Sequence, residues 1–150
     1  MTQGSIRRVA AAAHSSAPAF RDGRHDARLL IIDDNRLNVV LMEAVFGRAG
    51  FPNLFTETDP RLVRDRLPEI DPDLVLLDLH MPYLDGFQVL DQIREFAPGE
   101  ALPVMIVTAD TTLKASARAF NSGAQDVVTK PFSPRDIVDR ALDQLLAKFG

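Results

Sequence analysis

The sequence predicts an α/β fold in which helices cover both faces of a five-stranded parallel sheet. Three wholly apolar runs, at residues 29–32, 74–77 and 103–107, have the length of strands buried on both faces. Five further segments carry apolar residues at helical spacing. Strands that alternate with helices over short connections favour a parallel sheet with right-handed crossovers.

The strands differ in how strongly the sequence indicates them. Three of them are the apolar runs, while a more polar segment and a short one complete the set. The predicted strands, in chain order, are residues 29–32, 53–57, 74–77, 103–107 and 127–129. Because the three apolar runs are uniformly apolar, we expect those strands to be buried on both faces.

Each strand is followed by a helical pattern, and Gly or Pro residues mark the start or the end of four of these patterns. Gly50 is a C-cap candidate for the first helix, and Gly123 ends the fourth. Pro60 lies in the first turn of the second helix, and Pro68 is predicted beyond its end. Gly86 precedes the third helix. The apolar stripes of the helices fall within residues 37–45, 60–67, 87–97, 113–120 and 137–146.

Composition indicates one domain, at residues 28–150, preceded by a flexible tail at residues 1–27. The tail is rich in Ala, Ser and Arg and has too few large apolar residues to fold. The chain has no Cys, which excludes disulfides, thiolate metal sites and a Cys nucleophile.

Charge and hydropathy narrow the range of partners. Five Arg and two Asp give residues 1–28 a charge of +3, whereas residues 29–150 carry −7. The acidic body argues against direct binding of nucleic acid, which needs a basic face. No apolar run approaches the roughly 20 residues that span a bilayer. We therefore expect a cytoplasmic protein that does not bind membranes.

Polar residues stand directly after four of the predicted strands. Asp33 and Asp34 follow the first strand, Asp78 the third, Thr108 the fourth and Lys130 the fifth. The carboxyl ends of parallel strands meet at one edge of a sheet, where ligands of open α/β folds bind. We therefore expect three carboxylates, a hydroxyl and an ammonium to converge.

Such a cluster of carboxylates is typical of a cation site. Two carboxylates about 4 Å apart repel by about 4 kcal/mol at an effective dielectric constant of 20. Oxygen ligands with this charge suit Mg²⁺, or Mn²⁺. With the cation bound, a phosphate can enter beside Lys130 and Thr108, and an Asp can act as nucleophile to form an acyl phosphate.

Each of these residues also has a purely structural interpretation. An Asp after a strand is usually a helix N-cap or a turn residue, and so is a Thr. A lone Lys is usually solvated surface. The functional hypothesis depends on the joint placement of the set at four strand ends.

Four segments together resemble the receiver domain of two-component response regulators. The resemblance covers residues 29–148 and implies a flavodoxin-like sheet with the strand order 2-1-3-4-5. The segments that carry it are DD at 33–34, DLHMPYLDG at 78–86, TA at 108–109 and KPF at 130–132.

The resemblance implies a phosphoacceptor and a metal site. Asp78 would accept the phosphoryl group. Mg²⁺, with Mn²⁺ as an alternative, would be held by Asp33, Asp34, Asp78 and the backbone carbonyl of His80.

It also implies the groups around the phosphoryl oxygens. Thr108, Ala109 and Lys130 would contact the phosphoryl group, and the peptide bond after Lys130 would be cis. The side chains of His80 and Asp110 would flank the path of the water that removes the group, and so modulate its lifetime.

One position departs from the family pattern. Three residues before the Lys the family usually carries an aromatic residue or His, and here the residue is Val127. Its side chain is too short for the inward swing of an aromatic ring. We expect phosphorylation to be kept and the aromatic readout to be altered.

These features predict a stand-alone receiver that is not an enzyme beyond its own phosphorylation and dephosphorylation. Its partners would be a histidine kinase or histidine phosphotransfer protein and an unknown downstream protein. Two alternatives stay open. A degenerate receiver would bind proteins without being phosphorylated. A small aspartyl-phosphate hydrolase would need an Asp two residues after the nucleophile, where His80 stands.

Overall fold

The strands and helices of the chain form a three-layer α/β arrangement, seen in a computed structural model that describes residues 26–99 and 101–149. The sheet has five parallel strands in the order β2-β1-β3-β4-β5. The predicted fold class and strand order are confirmed. The strands are β1 (Arg28–Ile32), β2 (Asn53–Glu57), β3 (Leu74–Leu77), β4 (Val104–Thr108) and β5 (Asp126–Thr129). The helices are α1 (Arg36–Arg48), α2 (Val63–Ile70, after a 3-10 turn at Pro60–Leu62), α3 (Gly86–Phe96), α4 (Leu113–Asn121) and α5 (Pro134–Phe149).

The three apolar strands occupy the centre of the sheet. Every residue of β1, β3 and β4 is buried. Because successive side chains point to opposite faces, these strands supply two separate cores. Leu30 and Leu77 pack with α2, α3 and α4 on one face, whereas Leu29 and Leu76 pack with α1 and α5 on the other.

The register of the central strands brings their carboxyl ends to one edge. Ile32 of β1 pairs with Leu77 of β3, so Asp33 and Asp78 leave the sheet side by side. The Asp78 N–H donates to the Ile32 carbonyl at 3.0 Å. Thr108 ends β4 at the same edge. The sheet therefore determines how close the candidate site residues lie.

The position of Pro68 was predicted wrongly. Helix α2 does not end before Pro68 but continues to Ile70, with Pro68 inside it. The helical φ suits Pro, and the loss of one backbone hydrogen bond late in a short helix is offset by burial of Leu67 and Ile70. The helix ends instead at Asp71, which adopts the left-handed conformation with φ of 51°.

Most of the predicted tail, residues 1–27, lies outside the described residues. Its described end packs on the domain, since Ala27 is buried and the Asp26 carbonyl accepts a hydrogen bond from the Asn53 side chain at 2.8 Å. Within the described ranges, every helix is too short or too polar to cross a bilayer.

Candidate functional site

Three carboxylates meet at the carboxyl edge of β1 and β3. Asp33 is fully buried and Asp78 is nearly so, while Asp34 is exposed. An oxygen atom of each lies within 4.8 Å of those of the other two. The structure therefore brings together the three acids that the sequence places after these strands.

The turn into α1 sets the directions of the first two acids. Asn35 caps α1, and its side-chain oxygen accepts from the Leu37 N–H at 2.9 Å. The Asn35 N–H in turn donates to the Asp33 carboxylate at 2.9 Å. This turn holds Asp33 inward and leaves Asp34 at the surface.

Lys130 is the cation that faces the buried acids. Its Nζ lies 2.9 Å from Asp33 Oδ2 and 3.9 Å from Asp78 Oδ1. Its backbone N–H donates to the Thr108 carbonyl at 2.7 Å, and its peptide bond to Pro131 is cis, as the resemblance implies. The end of β5 thus directs the ammonium toward the strand ends of β1 and β3.

Negative charge exceeds positive charge at this edge. Burial raises the pKa of the Asp78 carboxyl above its ordinary range, and the nearby Asp33 acts in the same direction. The Lys130 ammonium and a hydrogen bond from the His80 N–H oppose the rise without cancelling it. The charges of Asp33, Asp34 and Asp78 are thus only partly neutralised by one ammonium.

This donor set fits a hard divalent cation. Three carboxylates within reach of a common point supply the oxygen ligands and the charge that Mg²⁺ prefers. Thiolate and imidazole side chains, which favour softer metals, are absent from the cluster. Asp33, Asp34 and Asp78 are the residues that would hold such an ion.

The β4–α4 loop forms a second wall of the site. Thr108 is fully buried, and its hydroxyl accepts from the Asp110 N–H at 3.1 Å. Ala109, between them, is exposed. Hydrogen bonds from the N–H and hydroxyl of Thr112, at 3.0 and 2.7 Å, hold the pKa of Asp110 below its usual value.

The two side chains expected to modulate phosphoryl lifetime contact each other. His80 Nε2 lies 3.3 Å from Asp110 Oδ2, so the β3–α3 and β4–α4 loops meet beside the site. His80 is largely exposed, whereas Asp110 is partly buried. Their effect on dephosphorylation stays a prediction.

A family model for the response regulator receiver domain matches residues 29–142. The chain belongs to this family. Among curated relatives, the transcriptional regulatory protein ResD of Bacillus subtilis is 33% identical over 119 residues, covering 79% of this chain and 48% of ResD. A protein-glutamate methylesterase/protein-glutamine glutaminase of Xanthomonas oryzae is 32% identical, covering 69% of this chain and 29% of that protein.

Solved structures agree with the receiver fold. A response regulator from Chloroflexus aurantiacus is 27% identical, with a TM-score of 0.74 over 80% of this chain and 98% of that one. The CheX–CheY–BeF3–Mg²⁺ complex from Borrelia burgdorferi contains a chain that is 25% identical, with a TM-score of 0.71 over 78% of this chain and 87% of that one. The chain spans about half the length of the first curated relatives it matches.

Close backbone packing holds the loop that follows Asp78 in this receiver domain. The Gly86 N–H donates to the Leu79 carbonyl at 2.8 Å. A Cβ at position 86 would lie only 2.5 Å from both the Asp78 carbonyl oxygen and the Leu79 Cα. Asp85 then caps α3 with a reciprocal hydrogen bond to Gln88. The Asp-Gly pair of the family motif is thus needed for packing.

Val127 lies in β5 and packs, half-buried, against the core beneath α3 and α4. The receiver domain therefore has an aliphatic side chain where the family usually carries a ring. The predicted change in readout stays a prediction.

Sequence reasoning missed a group of residues near the acidic pocket, the name used here for the cluster of Asp33, Asp34 and Asp78. Glu57, at the end of β2, is buried, and its carboxylate accepts from the Asp59 N–H at 3.0 Å. Asp59 binds Arg61, which in turn stacks on the ring of Tyr83. Of these residues, only Tyr83 lies within the family motif. The sequence Asp-Pro-Arg at residues 59–61 indicated only the start of a helix.

Proposed function

We propose that Asp78 of this chain accepts a phosphoryl group from the phosphohistidine of a histidine kinase or histidine phosphotransfer protein. The reaction would depend on Mg²⁺ and take place in the cytoplasm, and the phosphorylated domain would signal through a protein partner. The observation that carries the proposal is the position of the Asp78 carboxylate, beside Asp33, Asp34 and Lys130.

In the proposed step, an oxygen of the Asp78 carboxylate attacks phosphorus. The bond between phosphorus and the imidazole nitrogen of the donor breaks, and its electron pair stays on that nitrogen. Mg²⁺, held by Asp33, Asp34, Asp78 and the carbonyl of His80, would neutralise the phosphoryl oxygens as they approach the acids. The product is an acyl phosphate on Asp78.

Lys130 supplies positive charge that belongs to the chain itself. Its Nζ is already within 3.9 Å of Asp78 Oδ1 while it pairs with Asp33. A phosphoryl oxygen on Asp78 would therefore lie within reach of the ammonium. Since Lys130 pairs with Asp33 before the reaction, the side chain needs little rearrangement to bind the product.

Thr108 is arranged to donate a hydrogen bond at the same edge. Its hydroxyl oxygen accepts from the Asp110 N–H, which leaves the hydroxyl proton for a phosphoryl oxygen. Thr108 is buried, whereas Ala109 is exposed, so the backbone after β4 borders the site from the surface side. We assign both to phosphoryl binding.

An apolar surface next to the site supports docking of a protein donor. A groove of about 420 Å³ runs past Lys130 and is lined also by Asn38, Leu41, Ala109, Pro131 and Phe132. Leu41, which lines the groove, is exposed, and so is Leu37, one turn earlier on α1. A phosphohistidine that enters here would approach Asp78 from the side of the ion pair formed by Lys130 and Asp33.

The relatives support the general part of this proposal, that the chain acts as a receiver domain of a two-component system. The structural neighbour from Borrelia burgdorferi was solved with Mg²⁺ and BeF3. Other relatives are named as transcriptional regulators or as a methylesterase, and each is longer than the matched segment. The stand-alone arrangement and the lack of a further activity stay predictions.

Incubation with acetyl phosphate and Mg²⁺, followed by intact-mass measurement, tests the proposal. The expected result is one acid-labile phosphoryl adduct that EDTA prevents and that Asp78→Asn abolishes. Asp91→Asn, at an exposed position of α3, is the matched control and should form the adduct as the wild type does. Absence of an adduct would favour the degenerate receiver, and steady hydrolysis of acetyl phosphate without an adduct would favour the hydrolase.

A further inference from the structure

A side-chain contact joins two loops beside the acidic pocket. The guanidinium carbon of Arg61, in the 3-10 turn before α2, lies 3.8 Å from the centre of the Tyr83 ring in the β3–α3 loop. That distance is well within the range of a cation–π interaction. The guanidinium also makes two hydrogen bonds to the Asp59 carboxylate, at 3.0 and 2.9 Å. We call Asp59, Arg61 and Tyr83 the clasp.

The backbone of Tyr83 adopts a conformation that its residue type does not favour. Its φ is 71°, in the left-handed region that residues other than glycine rarely adopt. Tyr83 is 72% exposed, so burial in the core does not explain the conformation. The Arg61 guanidinium covers one face of the ring, and we assign the restraint of this conformation to that contact.

The loop that Tyr83 belongs to positions the phosphoacceptor. His80, three residues earlier, donates its N–H to the Asp78 carboxylate, and its carbonyl is the implied fourth ligand of the metal. Met81 is buried and Gly86 is packed on Leu79, so the two flanks of the loop are anchored. The clasp restrains the exposed apex between them.

The Asp59 end of the clasp is connected to the β1–α1 loop, which begins with Asp33. The Asp59 N–H donates to the Glu57 carboxylate at 3.0 Å. The Glu57 carbonyl accepts from the Asp33 N–H at 3.2 Å. A continuous series of contacts therefore runs from Asp33 through Glu57 and the clasp to the loop that carries His80.

We infer that the clasp positions the β1–α1 and β3–α3 loops for Mg²⁺, which makes Arg61 a positioning residue outside the family motif. The inference depends on the proposed function, because it concerns the same metal site. The clasp and the charge of Arg61 should affect Mg²⁺ binding in opposite directions. Removing a positive charge near three carboxylates should strengthen cation binding, whereas loss of the clasp should weaken it.

Calorimetric titration of Mg²⁺ into the wild type, Arg61→Ala and Arg64→Ala separates the two effects. Arg64 is the matched control, because it lies three residues later, is exposed and pairs with Glu95 at 3.6 Å instead of with the clasp. Arg61→Ala should raise the Kd for Mg²⁺ about two- to fivefold, the factor that an exposed cation–π contact supports. Arg64→Ala should bind as the wild type does or slightly more tightly.

Variants of Tyr83 test whether Arg61 acts through the ring. Tyr83→Phe keeps the stacking surface and should keep the wild-type Kd, whereas Tyr83→Ala should weaken binding as Arg61→Ala does. The double variant Arg61→Ala/Tyr83→Ala should bind no more weakly than either single variant. Tyr83 is the only Tyr and the chain has no Trp, so quenching of its emission by acrylamide should increase in Arg61→Ala.

Three outcomes would overturn the inference. If Arg61→Ala binds Mg²⁺ as tightly as Arg64→Ala while the wild type binds Mg²⁺ and is phosphorylated, the clasp has no role and the proposed function stands. If the effects of Arg61→Ala and Tyr83→Ala add, Arg61 does not act through the ring. A wild-type protein that neither binds Mg²⁺ nor forms the adduct would contradict the proposed function itself, and the inference with it.

Discussion

The two edges of the sheet both bury charged residues, but they balance charge differently. At the carboxyl edge, Asp33 and Asp78 are buried beside the exposed Asp34, and Lys130 is the cation that contacts them. At the amino edge, Asp73 is 1% exposed and lies between β1 and the end of α5.

At the amino edge, groups of the chain itself pair with the Asp73 carboxylate. The Asp73 carboxylate accepts from the Arg28 N–H at 2.9 Å and pairs with Lys148 at 3.4 Å. The Asp73 N–H donates to the Arg28 carbonyl at 2.8 Å, and the buried Arg28 guanidinium donates to the Ile70 carbonyl. Together these contacts connect β1 with α2, with α5 and with the residue that precedes β3.

From this difference we expect the buried charges of the amino edge to stabilise the fold and those of the carboxyl edge to bind a cation. A buried carboxylate that is fully paired is costly to remove, because its partners then lose their interactions. A carboxylate that lies near other carboxylates, with too few cations to neutralise them, destabilises the domain until a cation binds. The same substitution, Asp→Asn, should therefore have opposite effects at the two edges.

At the amino edge, Asp73→Asn should give the largest loss of stability. It removes the negative charge that pairs with Lys148 and should lower the free energy of unfolding by about 3 kcal/mol. For a domain of this size, the melting temperature should fall by about 10 °C. Phosphorylation at a temperature where the variant is folded should match the wild type. A change of less than about 1 °C would contradict the assignment of Asp73 to stability.

At the carboxyl edge, Gly86→Ala should disturb both packing and site. The new Cβ would meet the backbone of Asp78 and Leu79, which cannot move as a flexible side chain can. We expect a loss of about 2 kcal/mol in the free energy of unfolding, together with weaker Mg²⁺ binding. Gly47→Ala is the control, because no atom lies within 4 Å of its Cβ position. Equal melting temperatures for the two variants would show that the close packing at Gly86 is not required.

The pH dependence of stability should differ between the wild type and Asp78→Asn in EDTA. Burial raises the pKa of Asp78, so the folded state keeps this proton at pH values where the unfolded state has lost it. The wild type is therefore destabilised as the pH rises above the ordinary Asp range, near 4. Below that range the two proteins should melt alike apart from a constant offset, and the advantage of the variant should grow toward neutral pH. A difference that is constant over the whole range would contradict this.

The smallest effect is expected from His80→Gln, on the decay of the acyl phosphate. His80 contacts Asp110 beside the site, so loss of the imidazole should change the rate at which the acyl phosphate decays. Decay of the adduct at saturating Mg²⁺, followed in both proteins, gives the rates. Equal rates would remove His80 from the mechanism.

Much of the fold could be predicted because its signals are local. The apolar runs of β1, β3 and β4 are short and bounded, and the structure buries every residue in them. Pro68 was misplaced because its local preference against helix interiors is outweighed by tertiary burial of Leu67 and Ile70, which no short segment reveals.

The site was predictable to the extent that strand ends converge. Asp33, Asp34 and Asp78 follow paired strands, so their proximity follows from the topology. The clasp was not predictable, because Arg61 and Tyr83 are distant in sequence and meet only when two loops fold over the same edge. A side chain stacked on a ring leaves no periodicity or spacing to detect.

The most direct test of unequal charge balance is the melting temperature at pH 7 of the wild type, Asp78→Asn and Asp73→Asn, each in EDTA and in Mg²⁺. In EDTA, Asp78→Asn should melt above the wild type and Asp73→Asn below it. Mg²⁺ should raise the melting temperature of the wild type and of Asp73→Asn by similar amounts, and that of Asp78→Asn far less. If Asp78→Asn melts below the wild type in EDTA, or gains as much from Mg²⁺, the carboxyl edge does not hold an excess of charge for a cation.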